Sequence, residues 1–102
     1  SYVLAFDNTA GLTTGIALAN MAGQPANVSA QIRDDRGVLL QTAAINLPAN
    51  GHISFMLPDS FPVAAGRRGT IEFVTPAAGW ISALGLRATP AGNLTTIPVL
   101  VK

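Results

Sequence analysis

Asn27 to Arg33 reads NVSAQIR. Val28, Ala30 and Ile32 take every second position, and Asn27, Ser29, Gln31 and Arg33 take the positions between. A period of two is what a strand with one buried face requires, because successive side chains of extended backbone point to opposite sides. A helix would need its apolar residues three and four apart. The next four residues, Asp34-Asp35-Arg36-Gly37, form a tight-turn sequence with Asp early and Gly last. Together they predict a strand that ends in a reversal.

Working outward, seven prolines and ten glycines cut the rest of the chain into short pieces. Helices of more than two or three turns have almost no room. The same alternation predicts about eight strands: near Tyr2 to Phe6, Thr14 to Asn20, Ala26 to Arg33, Val38 to Leu47, His52 to Leu57, Gly69 to Thr75, Trp80 to Arg87 and Leu94 to Val101. In the fifth the inward set is Ile53, Phe55 and Leu57; in the sixth it is Ile71 and Phe73. Alternation weakens in VLLQTAAINL, which predicts a bulge near Thr42 or Ala43. Pro98 cannot donate to a ladder, so the last strand is read as an edge strand or as broken there. The connection Pro58 to Arg68 is long enough for one helical turn capped by Asp59 or Ser60, with Phe61 plugging the end of the core. Short strands with turns at this spacing indicate an all-β, antiparallel two-sheet sandwich of about 7–8 strands. A small barrel is the runner-up.

The 102 residues allow one domain, 1–102. Apolar residues make up 49% and charged residues 11%, the reverse of a disordered composition. A net charge of +1 gives no basic field for phosphates, and six aromatic residues are too scattered for base stacking, so nucleic acid is excluded as a partner. No apolar run reaches the ~18 residues of a membrane span, so no membrane insertion is expected. With no cysteine there are no disulfides and no thiolate metal sites. The chain starts with Ser1 and its first strand begins at once, so a piece of a longer polypeptide is expected, with any export signal outside it.

In an antiparallel sandwich successive connections fall alternately at the two ends. Those around 8–13, 34–37, 58–68 and 89–92 then share one pole, and those around 21–25, 48–51 and 76–79 share the other. The first pole collects Asp7, Arg33, Asp34, Asp35, Arg36, Asp59, Arg67, Arg68 and Arg87, leaving out only Glu72 and Lys102. The second carries Met21, Pro25, Pro48, His52, Pro76 and Trp80 and almost no charge. At the charged pole, solvated loops compete with an anion or carboxylate site at Arg67 and Arg68, or a cation site at Asp34-Asp35; the latter lacks the ligand count of a calcium loop. At the neutral pole, Trp80 is either a lid on the core or a surface for a neighbouring domain or a sugar ring.

No catalytic site is legible. His52, the only histidine, follows the turn Pro48-Ala49-Asn50-Gly51 and has no cysteine to activate, no G-x-S-x-G elbow and no carboxylate close in sequence. One histidine cannot hold zinc, and adjacent Asp34 and Asp35 diverge too much for glycoside chemistry. No phosphate loop is present, since Gly66-Arg67-Arg68-Gly69 is too short. No cofactor is called for.

Several phrases together carry a resemblance: TGIALAN (Thr14 to Asn20), the DDRG turn, LPANGHISF (Leu47 to Phe55), then FP, RGTIEF and ALGLRATPAGNLTTIPV, in this order over nearly the whole chain. They resemble a module of large exported bacterial proteins, an immunoglobulin-like β-sandwich. The resemblance implies a non-catalytic accessory domain, secreted or at the cell surface. The matching positions, Gly15, Gly37, Pro48, Gly51, Gly69 and Leu86, are turn and core residues, so no catalytic role carries over, and His52 becomes part of a turn phrase. The AAGRR segment is shorter and more basic than the pattern.

Two functions are thus expected. One is a spacer or binding module that works beside neighbouring domains of its parent protein and contacts carbohydrate or protein through Trp80, His52, Arg67 or Arg68. The other is self-association, with the apolar TTIPVLVK adding a strand to another sheet.

Overall fold

A computed structural model describes residues 1–75 and 80–102. Among these residues nine strands form: β1 (Tyr2–Asp7), β2 (Thr13–Asn20), β3 (Ala26–Asp34), β4 (Leu39–Leu47), β5 (His52–Met56), β6 (Arg68–Val74), β7 (Ile81–Ala88), β8 (Leu94–Ile97) and β9 (Leu100–Val101). Between β5 and β6 lie one helical turn, α1 (Leu57–Ser60), and a 3-10 turn, Pro62–Ala64. The strands make two antiparallel sheets, β4-β3-β6-β1-β9 and β5-β2-β7-β8. The chain is an all-β two-sheet sandwich.

The alternation places the core as the sequence requires. Val28, Ala30 and Ile32 of β3 are fully buried, as are Ile71 and Phe73 of β6. Register sets Ala30 beside Phe73 and Ile32 beside Ile71, so a small side chain makes room for the large one. Leu4 and Phe6 complete this inner face, and Ile16, Leu18 and Ile81 answer from the four-stranded sheet. Two pairs, β2–β5 and β3–β6, match the B–E and C–F pairs of the immunoglobulin arrangement. The rest differs: β1 lies beside β6 rather than β2, β4 beside β3 rather than β5, and β7 beside β2 rather than β6.

The break expected at Pro98 is present: the last run is interrupted at Pro98 and Val99, which brings the strands to nine, and β8 pairs with β7 in one sheet while β9 crosses to pair with β1 in the other. Three local expectations are corrected. The bulge falls at Leu40, not at Thr42 or Ala43, where the register slips between Ile32 and Arg33 and Leu40 turns to pack on the core. The helical turn starts at Leu57, with Met56 at its cap position and no side-chain cap; the buried Leu57 draws the turn inward and Pro58 suits its first positions, leaving Asp59 inside. Arg33 leaves the charged pole and bends along the outer sheet to Glu72, 3.6 Å away. Phe61 does plug the core, with its ring edge-on to Phe55 at 5.8 Å between centroids.

Two buried asparagines fasten the poles. At the neutral pole Asn20 donates through Nδ2 to the carbonyls of Gln24 (2.8 Å) and Pro48 (3.1 Å) and accepts from the Ala22 amide (3.0 Å), joining two connections. At the charged pole Asn8 donates to the Ala64 carbonyl (2.9 Å) and accepts from the Thr14 amide (2.8 Å). The chain ends also meet. The Ser1 amine donates to the Lys102 carbonyl and the Lys102 amide donates to the Ser1 carbonyl.

Candidate functional site

The charged pole is built from two hairpins of one design and the α1 connection. Asp34 Oδ1 accepts the amides of Arg36 and Val38, both at 2.9 Å, and Gly37 takes φ +85°. Thr89 and Gly92 repeat the plan, with Thr89 Oγ1 accepting the Asn93 amide at 3.1 Å and Gly92 at φ +84°. In both, a positive φ at the fourth residue turns the chain back into its partner strand, a conformation in which glycine has no steric penalty.

The Asp34–Gly37 hairpin, Thr9 and the 66–68 segment enclose an open depression of about 470 Å³, lined by Thr9, Asp34, Asp35, Arg36, Gly66, Arg67 and Arg68. Of its two acids, Asp34 is engaged by backbone amides, while Asp35 is exposed with no side-chain partner among the described residues. The Val38 amide, then that of Arg36, holds the Asp34 carboxyl below the usual carboxylate range. Asp7, beside the depression, is lowered first by the Thr9 hydroxyl, then by the Thr9 amide, Arg68 and Arg87, and Arg68 Nε lies 3.2 Å from it. Arg36 and Arg67 are exposed and, among the described residues, in no ion pair. They are the donors left to an external oxyanion.

The structure therefore brings Arg67 and Arg68 together and adds Arg36, whose signal was its place in the DDRG turn. It also turns Arg87 inward between the sheets, where its Nε is buried without a partner. No local pattern marks that residue, because its direction depends on the pairing Thr14–Arg87. Among the described residues no three His, Cys, Asp or Glu side chains converge on one point.

Trp80 and His52 sit apart from the arginines, towards the neutral pole. Trp80 is 69% exposed and is no lid on the core; that place belongs to Ile81, which follows it in the chain and is buried. The Trp80 carbonyl accepts the Met21 amide at 2.8 Å, setting two large apolar side chains side by side. His52 is exposed on the same sheet, and its ring makes no side-chain hydrogen bond among the described residues. Ala19 stands between His52 and Ser82 in register, so β2 separates His52 from the strand that Trp80 precedes. The 76–79 connection expected at this pole lies outside the described residues.

On the outer face of the five-stranded sheet, Glu72 gathers Ser1, Lys102 and Arg33. Burial, the largest single influence, opposes its charge, yet the Ser1 hydroxyl, Lys102 and Arg33 together hold its carboxyl below the ordinary range. The group fastens the paired chain ends to β6.

No helix is long and apolar enough to cross a membrane among the described residues. Compared with known proteins, the chain matches no protein-family model, no curated protein and no solved structure.

Proposed function

We propose that this chain is a non-catalytic accessory module of an exported bacterial protein, and that it displays its charged pole to a ligand. The observation that carries the reading is the reciprocal bonding of Ser1 and Lys102, which sets both ends of the chain at the neutral pole. Any polypeptide continued from either end departs from that pole. Such a module adds little length between its neighbours, which supports display over spacing, and it turns the loops carrying Arg36, Arg67 and Arg68 outward. The order of its phrases supports the exported setting, and the loop cluster offers guanidinium groups to a carboxylate, sulfate or phosphate on a saccharide or protein.

The test is an array of acidic and neutral saccharides and peptides, probed with the chain and with the R36A/R67A double variant. Capture of acidic members by the native chain alone supports the reading. Absence of capture, or equal capture by the variant, sinks it.

A second reading, self-association, is favoured by a different observation: among the described residues the outer face of the four-stranded sheet carries no charged side chain.

A further inference from the structure

On the four-stranded sheet, alternation turns Gly15, Ala17 and Ala19 of β2 outward, and Ser82, Leu84 and Leu86 of β7 beside them. Met21 and Trp80 continue the two rows at the neutral pole. Among the described residues no charged side chain stands on this face. The opposite sheet carries Asp7, Arg68, Arg33 and Glu72 on its outer side. Leu84 is 46% exposed and Met21 64%. A contiguous apolar face of this kind marks an interaction surface.

The relief of the face selects its occupant. In register, Leu86 stands beside Gly15, Leu84 beside Ala17, Ser82 beside Ala19 and Trp80 beside Met21. From Gly15 to Ala19 the row on β2 is a furrow, closed at the neutral pole by Met21, and Leu84 and Leu86 of β7 form a ridge beside it. A hollow of about 360 Å³ opens over the furrow, between Gly15, Ala17, Ser54, Met56 and Leu86. A twofold axis running parallel to the strands, between β2 and β7, would lay each copy's ridge in the other's furrow. It would set Leu84 over Ala17, and Trp80 over Met21, at the same height and reciprocally. A twofold across the strands would instead set ridge on ridge.

We infer that a second copy of this chain covers the face, in an aligned sheet-on-sheet dimer about that strand-parallel axis. The pairing desolvates no ion and leaves both charged poles in water. At strand spacings of about 4.8 Å and rises of about 3.4 Å the whole four-stranded face covers about 400 Å² on each copy. Twice that falls short of the ~1,000 Å² of a stable specific interface, so the dimer is weak and concentration-dependent.

The inference deepens the second reading above, and one pair of measurements tests it. Sedimentation velocity gives the mass from micromolar to millimolar chain, and the emission of Trp80, the single tryptophan, reports its burial. The expected result is a doubling of mass together with a blue shift and at least a twofold loss of iodide quenching over one concentration range. L84E should abolish both changes and keep the native circular dichroism and melting temperature at low concentration; A17L, which fills the furrow, should do the same. A chain that stays monomeric overturns both the dimer and self-association. Association that leaves Trp80 exposed, or that survives L84E, overturns this dimer and keeps self-association through another surface. A Trp80 shift at monomeric mass on adding oligosaccharide or lipid vesicles overturns it in favour of that occupant.

Discussion

Gly69 lies so close to the carbonyl of Arg33 that a Cβ on Gly69 would overlap the Arg33 oxygen. The contact falls where β3 and β6 join at the charged pole, in the pairing Asp34–Gly69. The obstacle is backbone on both sides, so no rotamer relieves it. Gly69→Ala should therefore destabilise the fold by about 1–3 kcal/mol, the cost of overpacking a fixed site. The measure is the urea midpoint at constant slope. Gly23→Ala is the control: nothing lies within 4 Å of its Cβ position, and its change should stay within about 0.5 kcal/mol.

Asn20 is 2% exposed and serves three backbone groups of two connections. Asn20→Ala leaves those groups without their partner, which should cost about 1–3 kcal/mol. Asn20→Asp should be worse at neutral pH, since a carboxylate would face the Gln24 and Pro48 carbonyls. Its folded-state pKa would be raised by that repulsion, so the deficit should shrink as pH falls and the acid becomes a donor again. Thermal midpoints of both variants at neutral and mildly acidic pH check the pattern.

Asp7, Asp34 and Glu72 all have carboxyls held below their ordinary values. A depressed folded-state pKa means that the unfolded chain binds protons first as pH falls. The stabilisation is full above the unfolded values of about 4 and is lost as pH drops through the lower, folded values. Melting temperature should be level from neutral pH to about 5 and fall below about 4, and Glu72→Gln should reduce that fall. A chain equally stable through the acid range would contradict this account.

Because Ser1 and Lys102 are bonded to each other, a short linker between them should be tolerated. A circular permutant opened between Asp35 and Arg36, an exposed turn, should keep the native circular dichroism spectrum and a cooperative melt. Loss of cooperative unfolding would show that the paired ends are not a feature of the solution structure.

The strands themselves were legible in the sequence, because alternation is local: each residue of NVSAQIR declares its side without reference to any other strand. The two poles followed from antiparallel order alone. Other features depend on neighbours that local pattern does not name. The bulge at Leu40 reflects pairing with Ile32 and Arg33, the inward turn of Arg87 reflects its place opposite Thr14, and the crossing at Pro98 reflects an open edge on β1. Of the candidate site, the Arg67 and Arg68 side chains were readable as a pair and antiparallel order placed Arg36 at their pole, but that all three line one depression depends on the fold. His52 opens β5 directly after its turn, as the strand reading requires. Trp80 yields the core position to Ile81, a difference of one residue in strand phase.

Tyr2 takes Phe73 on one side and Val101 on the other. The opening strand is thus the last to find both of its neighbours. During synthesis from the amino end it must wait for β6, and its second edge stays open until Leu100 and Val101 emerge. Closure therefore depends on contacts far apart in sequence and is comparatively slow, and a nascent chain stalled before Leu100 would present an unsealed first strand to quality control.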